Sequence, residues 1–165
     1  FPYTTLFRSL WLGWGGRVQF YKGRALEAQN EMKKAETAYR KGLRYAVGEG
    51  TGIKGTLQRA ILALQIARGA PGVEDRVKTL APGPFKYYCL GLLTERKARE
   101  QDDNLNLLTE ALLHYMKVIV VYSPETTDLS KADQETRRDS MQRAEELLEK
   151  DLADKRSIRT LKSMM

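Results

Sequence analysis

Apolar or small residues at Val18, Tyr21, Ala25, Ala28, Met32, Ala35, Tyr39, Gly42 and Ala46 recur at alternating steps of three and four, the spacing of a helical stripe. Two readings fit it. The chain turns near Asn30 and Glu31 into a hairpin, or it continues as one helix of about 45 Å at 1.5 Å per residue, because neither Gly nor Pro marks the midpoint. The glycine-rich run from Gly48 to Gly55 ends the stripe, since glycine at that density weakens a helix at every position. Ile53, Leu57, Ala60, Ile61, Leu64 and Ala67 then share one face of a second helical segment, stopped by Gly69-Ala70-Pro71-Gly72.

Val73 to Leu80 has room for a short turn of helix before Ala81-Pro82-Gly83-Pro84 breaks the chain again. From Phe85 to about Arg99 apolar residues occupy most faces, which predicts the most buried helix of the chain. Leu105, Leu108, Ala111, Leu112, Tyr115, Val118, Ile119 and Tyr122 resume helical spacing up to Pro124. Val118 to Val121 is β-branched, but no other segment offers a strand to pair with it. Ser130 followed by Asp133 predicts a helix start. The stripe runs on through Ala144, Leu147 and Leu152 into an amphipathic tail with Ile158, Leu161 and Met165. The pattern is all-α throughout.

Composition adds limits to this picture. The chain has 165 residues, 42% hydrophobic and 30% charged, enough to bury a real core. No apolar stretch approaches the roughly 18 to 20 residues needed to cross a bilayer. Cys89 is the single cysteine, so neither an intrachain disulfide nor a multi-cysteine zinc site can form. Cytoplasm and bacterial periplasm both stay open as compartments. The formal charge of +7 is uneven, with ten Lys/Arg against four Asp/Glu in 16–60 and thirteen against fifteen in 95–165. Such a basic end suits an acidic partner, and its plainer reading is a solvated helix face.

The first nine residues, FPYTTLFRS, match codon by codon the translation of a common sequencing adapter. On that reading 1–9 is foreign to the fold, and the natural gene, with further repeats, continues upstream of about Leu10.

Two stretches resemble the tetratricopeptide repeat, a helix pair of about 34 residues marked by W-x2-L-G-x2-Y in its first helix and A-x3-F then P in its second. In 16–49, Gly23 takes the small position and Ala35 with Tyr39 the A-x3-aromatic, while Gln19, Lys22, Leu26 and Val47 depart from the pattern. In 85–124, Tyr87, Leu90 and Gly91 give aromatic-x2-L-G, followed by Ala111, Tyr115 and Pro124. Here Gly91 and Ala111 are twenty residues apart, where Gly23 and Ala35 are twelve apart, so the second hairpin needs a longer arm or loop. The resemblance implies antiparallel helix hairpins stacked as a short α-solenoid over 10–165, with divergent helices at 51–68 and 129–163. EALLHYMKVIVVYSP is also similar to repeats of bacterial envelope-assembly scaffolds. A generic helical bundle uses the same glycine-and-aromatic device and stays open as the alternative fold.

The motifs that could carry chemistry have plainer readings. Gly50-Thr51-Gly52-Ile53-Lys54-Gly55 satisfies G-x-G-x-x-G, yet it lies between helices, whereas a dinucleotide site follows a strand. It reads as an inter-helix loop that binds no nucleotide. His114 is the only histidine and reads as a partly exposed surface residue; Cys89 reads as a small core residue. No catalytic group, metal or cofactor is expected.

In the resembled family the flank of each first helix lines a binding groove. The matching positions are Arg17, Phe20, Arg24 and Glu27 in the first hairpin and Tyr88, Leu92, Glu95 and Arg96 in the second. The resemblance therefore implies a non-catalytic protein-interaction scaffold for a peptide or partner helix, with aromatics supplying area and arginines supplying hydrogen bonds. The Lys and Asn pair that some family members use to clamp a C-terminal carboxylate is absent at Phe20 and Arg24. The alternative partner is nucleic acid or another anionic surface, met through Arg17, Lys22, Arg24, Lys33, Lys34, Arg40, Lys41 and Arg44.

Overall fold

The computed structural model describes residues 2–46, 52–125 and 128–152, with 2–13 described by their backbone alone. Regular structure among the described residues is entirely helical, with seven helices and no strand. The expectations for the Gly48-rich loop before Gly52, and for the tail with Ile158, Leu161 and Met165, lie outside them. The chain divides into two compact units, residues 1–65 and 66–165.

The first unit is built from α1 (Pro2–Ala28), α2 (Met32–Tyr45) and most of α3 (Ile53–Ala67). The chain reverses between α1 and α2, and the turn is made by Asn30. Asn30 stands at φ +60°, in the left-handed region that Asn tolerates better than most residues. Its N–H bonds back to Glu27 O at 2.8 Å, and Glu31 N–H reaches Leu26 O at 2.8 Å. This is the paired closure that normally ends a helix on glycine.

The reversal divides the predicted stripe. Ala35, Tyr39, Gly42 and Ala46 are buried, whereas Val18, Tyr21, Ala25 and Ala28 face solvent. The face that α1 buries instead carries Gly16, Phe20 and Gly23. The expected continuous apolar face is thus corrected for α1: once the chain turns back, the face of α1 that meets α2 is no longer the one in phase with it along the sequence. Ile53, Leu57, Ile61 and Leu64 of α3 close the core of this unit over Phe20, Ala35 and Tyr39.

The second unit holds α4 (Val73–Lys78), α5 (Pro84–Glu100), α6 (Leu105–Val121) and α7 (Lys131–Lys150). Pro84 occupies the first turn of α5, where its missing N–H costs nothing. Lys86 Nζ donates to Lys78 O and Leu80 O, both at 3.0 Å, closing the end of α4. Asn104 caps α6, its side chain accepting from Asn106 N–H at 3.1 Å. Ser130 caps α7 by accepting from Asp133 N–H at 3.1 Å while its hydroxyl donates to the Asp133 carboxylate at 2.6 Å. Both hairpin helices pack against α7, around a core of Tyr88, Cys89, Leu92, Leu108, Leu112, Tyr115 and Leu147.

Candidate functional site

The eight residues expected to line a groove fall four in each unit, and each set is best understood from the glycine beside it. In the first unit Gly23 lies directly under the ring of Tyr39: a Cβ there would stand 2.2 Å from Tyr39 Cε1. Only a hydrogen in that place lets α1 and α2 approach so closely. The Tyr39 hydroxyl then donates to Glu27 Oε1 at 2.5 Å, and its ring packs at 5.9 Å from Phe20.

The second unit repeats this arrangement. A Cβ on Gly91 would meet Tyr115 Cε1 at 2.4 Å, the Tyr115 hydroxyl donates to Glu95 Oε2 at 2.8 Å, and the ring lies 6.0 Å from Tyr88. Ala35 and Ala111, each four residues before its tyrosine, are fully buried. Two helix pairs are therefore pinned by one device: an aromatic, a glycine three residues on, a glutamate four further, and a tyrosine from the facing helix. Gly23 and Gly91 stand 68 residues apart.

This geometry assigns the expected site residues to different tasks. Phe20 (6% exposed), Tyr88 (7%) and Leu92 (6%) belong to the core of their own units. Glu27 and Glu95 hold the tyrosine hydroxyls. Arg17 is exposed, Arg24 lies 3.5 Å from Glu27, and Arg96 pairs with Glu100 at 2.7 Å, its guanidinium resting against Gly69. Of the eight, Arg17 is exposed, and Arg24, Glu27, Glu95 and Arg96 are partly so. A sequence cue for the glutamates exists in the phrase aromatic-x2-G-x3-E, present as Phe20 to Glu27 and as Tyr88 to Glu95.

Around Glu95 the second unit gathers further charge. Arg143 of α7 and Arg99 of α5 approach its Oε1 at 3.8 and 3.9 Å. Burial favours the neutral form of Arg143, but Glu95, Tyr88, Tyr115 and Glu146 together outweigh it and keep the guanidinium charged. Burial, followed by the charge of Glu95, lifts the Tyr115 phenol well above its ordinary value. Arg99 forks onto Asp151 at 2.7 and 2.6 Å and reaches Asp103 at 2.7 Å. The hydrogen bond from Arg99 holds the Asp151 carboxyl below its usual range.

His114 is half-buried 3.9 Å from Glu110, with burial lowering its pKa, and Cys89 is fully buried. Among the described residues no three His, Cys, Asp or Glu side chains converge as a metal site, and no helix is long and apolar enough to cross a membrane. No family model, curated protein or solved structure matches the chain.

Proposed function

We propose that this chain is a non-catalytic interaction scaffold, a divergent tetratricopeptide-like stack that holds a peptide or partner helix along the flanks of its first helices. The observation that carries the reading is the repeated pin of glycine, tyrosine and glutamate at Gly23 and Gly91. Its separation of 68 residues is twice the period of about 34 residues typical of that repeat. Such pins hold a helix pair rigid, and a rigid pair presents its exposed flank without a further ordering cost on binding.

With Phe20, Tyr88 and Leu92 in the core, recognition falls to Arg17, Arg24 and Arg96, whose planar forks suit carboxylates and backbone carbonyls. The test uses peptides selected from a random display library on the whole chain. Arg24→Ala or Arg96→Ala should each weaken the selected peptides about tenfold, the scale of an interface anchor. Affinity untouched by both variants, but lost steeply with salt and on neutralising Lys33, Lys34, Arg40 and Lys41, would replace the reading with an anionic-surface binder.

A further inference from the structure

The side of α1 turned away from α2 carries an apolar ridge. Trp14 is 64% exposed, Val18 56% and Tyr21 68%, and Ala25 continues them in the open. Steps of four, three and four place all four on one helical stripe about 16 Å long. Gly16, Phe20 and Gly23, which meet the rest of the unit, occupy the opposite side. The ridge is therefore not a poorly packed part of the core; it is a second face of the same helix. An aligned row of three large exposed side chains differs from the scattered apolar residues that any surface carries.

Charge says what kind of partner fits it. Arg17 borders the ridge on one side and Lys22 on the other, both exposed. Residues 1–65 hold eleven Lys/Arg against four Asp/Glu, while 66–165 hold seventeen of each, so the whole excess of +7 lies in the first unit. A helix with an apolar seam and acidic borders would match the ridge by area and the borders by charge, as flanking charges select partners in coiled coils. A second copy of this chain would set Arg17 and Lys22 against their own kind, a juxtaposition that costs affinity. A lipid surface is the weaker match, because interfacial helices spread many cations over their polar face, and in α1 the side opposite the ridge is packed within the protein.

We propose that the Trp14, Val18 and Tyr21 face of α1 docks an amphipathic partner helix whose apolar seam is bordered by Asp and Glu. The inference goes beyond the groove reading and stands without it, since it uses the other side of α1 and none of the second unit. Trp14 reports on the face directly. The chain has two tryptophans, so in a Trp11→Phe background Trp14 is the sole indole.

The whole chain is titrated with a synthetic amphipathic peptide carrying a leucine seam and glutamate borders, and with a twin carrying lysine borders. The glutamate peptide should move Trp14 emission to shorter wavelength and saturate. The lysine twin should bind at least about tenfold more weakly. Lys22→Glu should weaken the glutamate peptide about tenfold, and Val18→Asp should abolish the shift, both with unchanged helical circular dichroism because these side chains touch solvent. Failure of the glutamate peptide to shift Trp14 overturns the proposal, and so does equal binding of the twin. Vesicles of phosphatidylserine and phosphatidylcholine that shift Trp14 where the peptide does not would assign the face to a lipid surface. Self-association that rises with concentration and disappears in Val18→Asp would assign it to a second copy.

Discussion

Replacing Gly91 by alanine tests the pin that both hairpins share. The new methyl would stand 2.4 Å from Tyr115 Cε1, 2.8 Å from Cδ1 and 2.9 Å from Cζ, against an optimum of roughly 3.5 to 4.0 Å for carbon contacts. Something must move by about 1 Å. The ring has little freedom to do so, because Tyr115 is fully buried and tethered through its hydroxyl to Glu95. Overpacking of this kind costs about 1 to 3 kcal/mol. If the ring swings aside, loss of its bond to the Glu95 carboxylate adds about 1.5 to 3 kcal/mol. Alanine returns about 1 kcal/mol through its better helix propensity. With the ring displaced the expected net loss is about 1.5 to 5 kcal/mol, and Gly23→Ala, with its contact at 2.2 Å, should lose at least as much.

Gly55 supplies the control, since it lies in α3 with nothing within 4 Å of the place a Cβ would take. Gly55 lies in the first turn of α3, so Gly55→Ala should be neutral to stabilising, by at most about 0.5 to 1 kcal/mol. Urea unfolding followed by far-ultraviolet circular dichroism measures all three at unchanged slope. In the double variant Gly91→Ala with Tyr115→Leu, the smaller side chain relieves the clash, so the two changes should be less costly together than added singly by more than about 1 kcal/mol. If Gly91→Ala and Gly55→Ala shift the midpoint alike in the stabilising direction, the close approach is not what the glycine is for.

Tyr115→Phe should cost about 1.5 to 3 kcal/mol at neutral pH. The folded phenol has a raised pKa, so its contribution is complete below the unfolded value near 10 and is lost as pH rises through the folded one. The wild type should accordingly lose stability relative to Tyr115→Phe above about pH 10, and parallel unfolding curves through that range would refute the assignment. Asp151 behaves in the opposite sense. Its depressed pKa gives stability that is complete above the unfolded value near 3.9 and lost as pH falls through the folded value. Urea midpoints of wild type and Asp151→Asn should therefore converge in acid, and a gap independent of pH would count against the Arg99 pair as its origin. Asn30→Ala should lower the unfolding midpoint by the equivalent of about 1 kcal/mol, the cost of a left-handed residue with a Cβ and no local side-chain bond. Ser130→Ala should cost about 1 kcal/mol through the α7 cap, read from the same unfolding curves.

The helices were legible in the sequence because their signals are local. Ser130 with Asp133, Pro84, the glycine and proline breakers and the run of apolar residues after Phe85 each act within a few residues of themselves. Gly23 and Gly91 were legible as contact points for the same reason, since a glycine and an A-x3-aromatic are visible at a known spacing. The face of α1 was not legible. A stripe can run in step through a turn when the turn is three residues long, and the sequence of Val18 to Ala46 keeps its rhythm across Asn30 although the chain reverses there. The turn near Asn30 and Glu31 was one of the two readings open in the sequence and is the one found, with Asn30 doing what glycine usually does. What the unbroken rhythm concealed is which face of α1 the turn buries. The tyrosine-to-glutamate bonds were hidden in another way. They join residues 12 and 20 positions apart. The phrase aromatic-x2-G-x3-E marks both glutamates, but only the three-dimensional pairing of the helices shows that each holds a tyrosine hydroxyl rather than lining a groove.

The extra length of the second hairpin connects local pattern to assembly. α1 runs five residues past Gly23, but α5 runs nine past Gly91; α2 begins three residues before Ala35, but α6 begins six before Ala111. The surplus therefore extends each helix by about one turn and lengthens the connecting loop by a single residue. A whole turn leaves each buried face in phase, which is why Tyr115 still finds Gly91 and Glu95 as Tyr39 finds Gly23 and Glu27. The added turn of α5 carries Arg99, and Arg99 is the residue that forks onto Asp151 at the end of α7. The first hairpin stops before the corresponding position, so it has nowhere to place such a residue. The longer arm thus gives the second hairpin a charged hold on a third helix, added at its tip without disturbing the pin that both hairpins share.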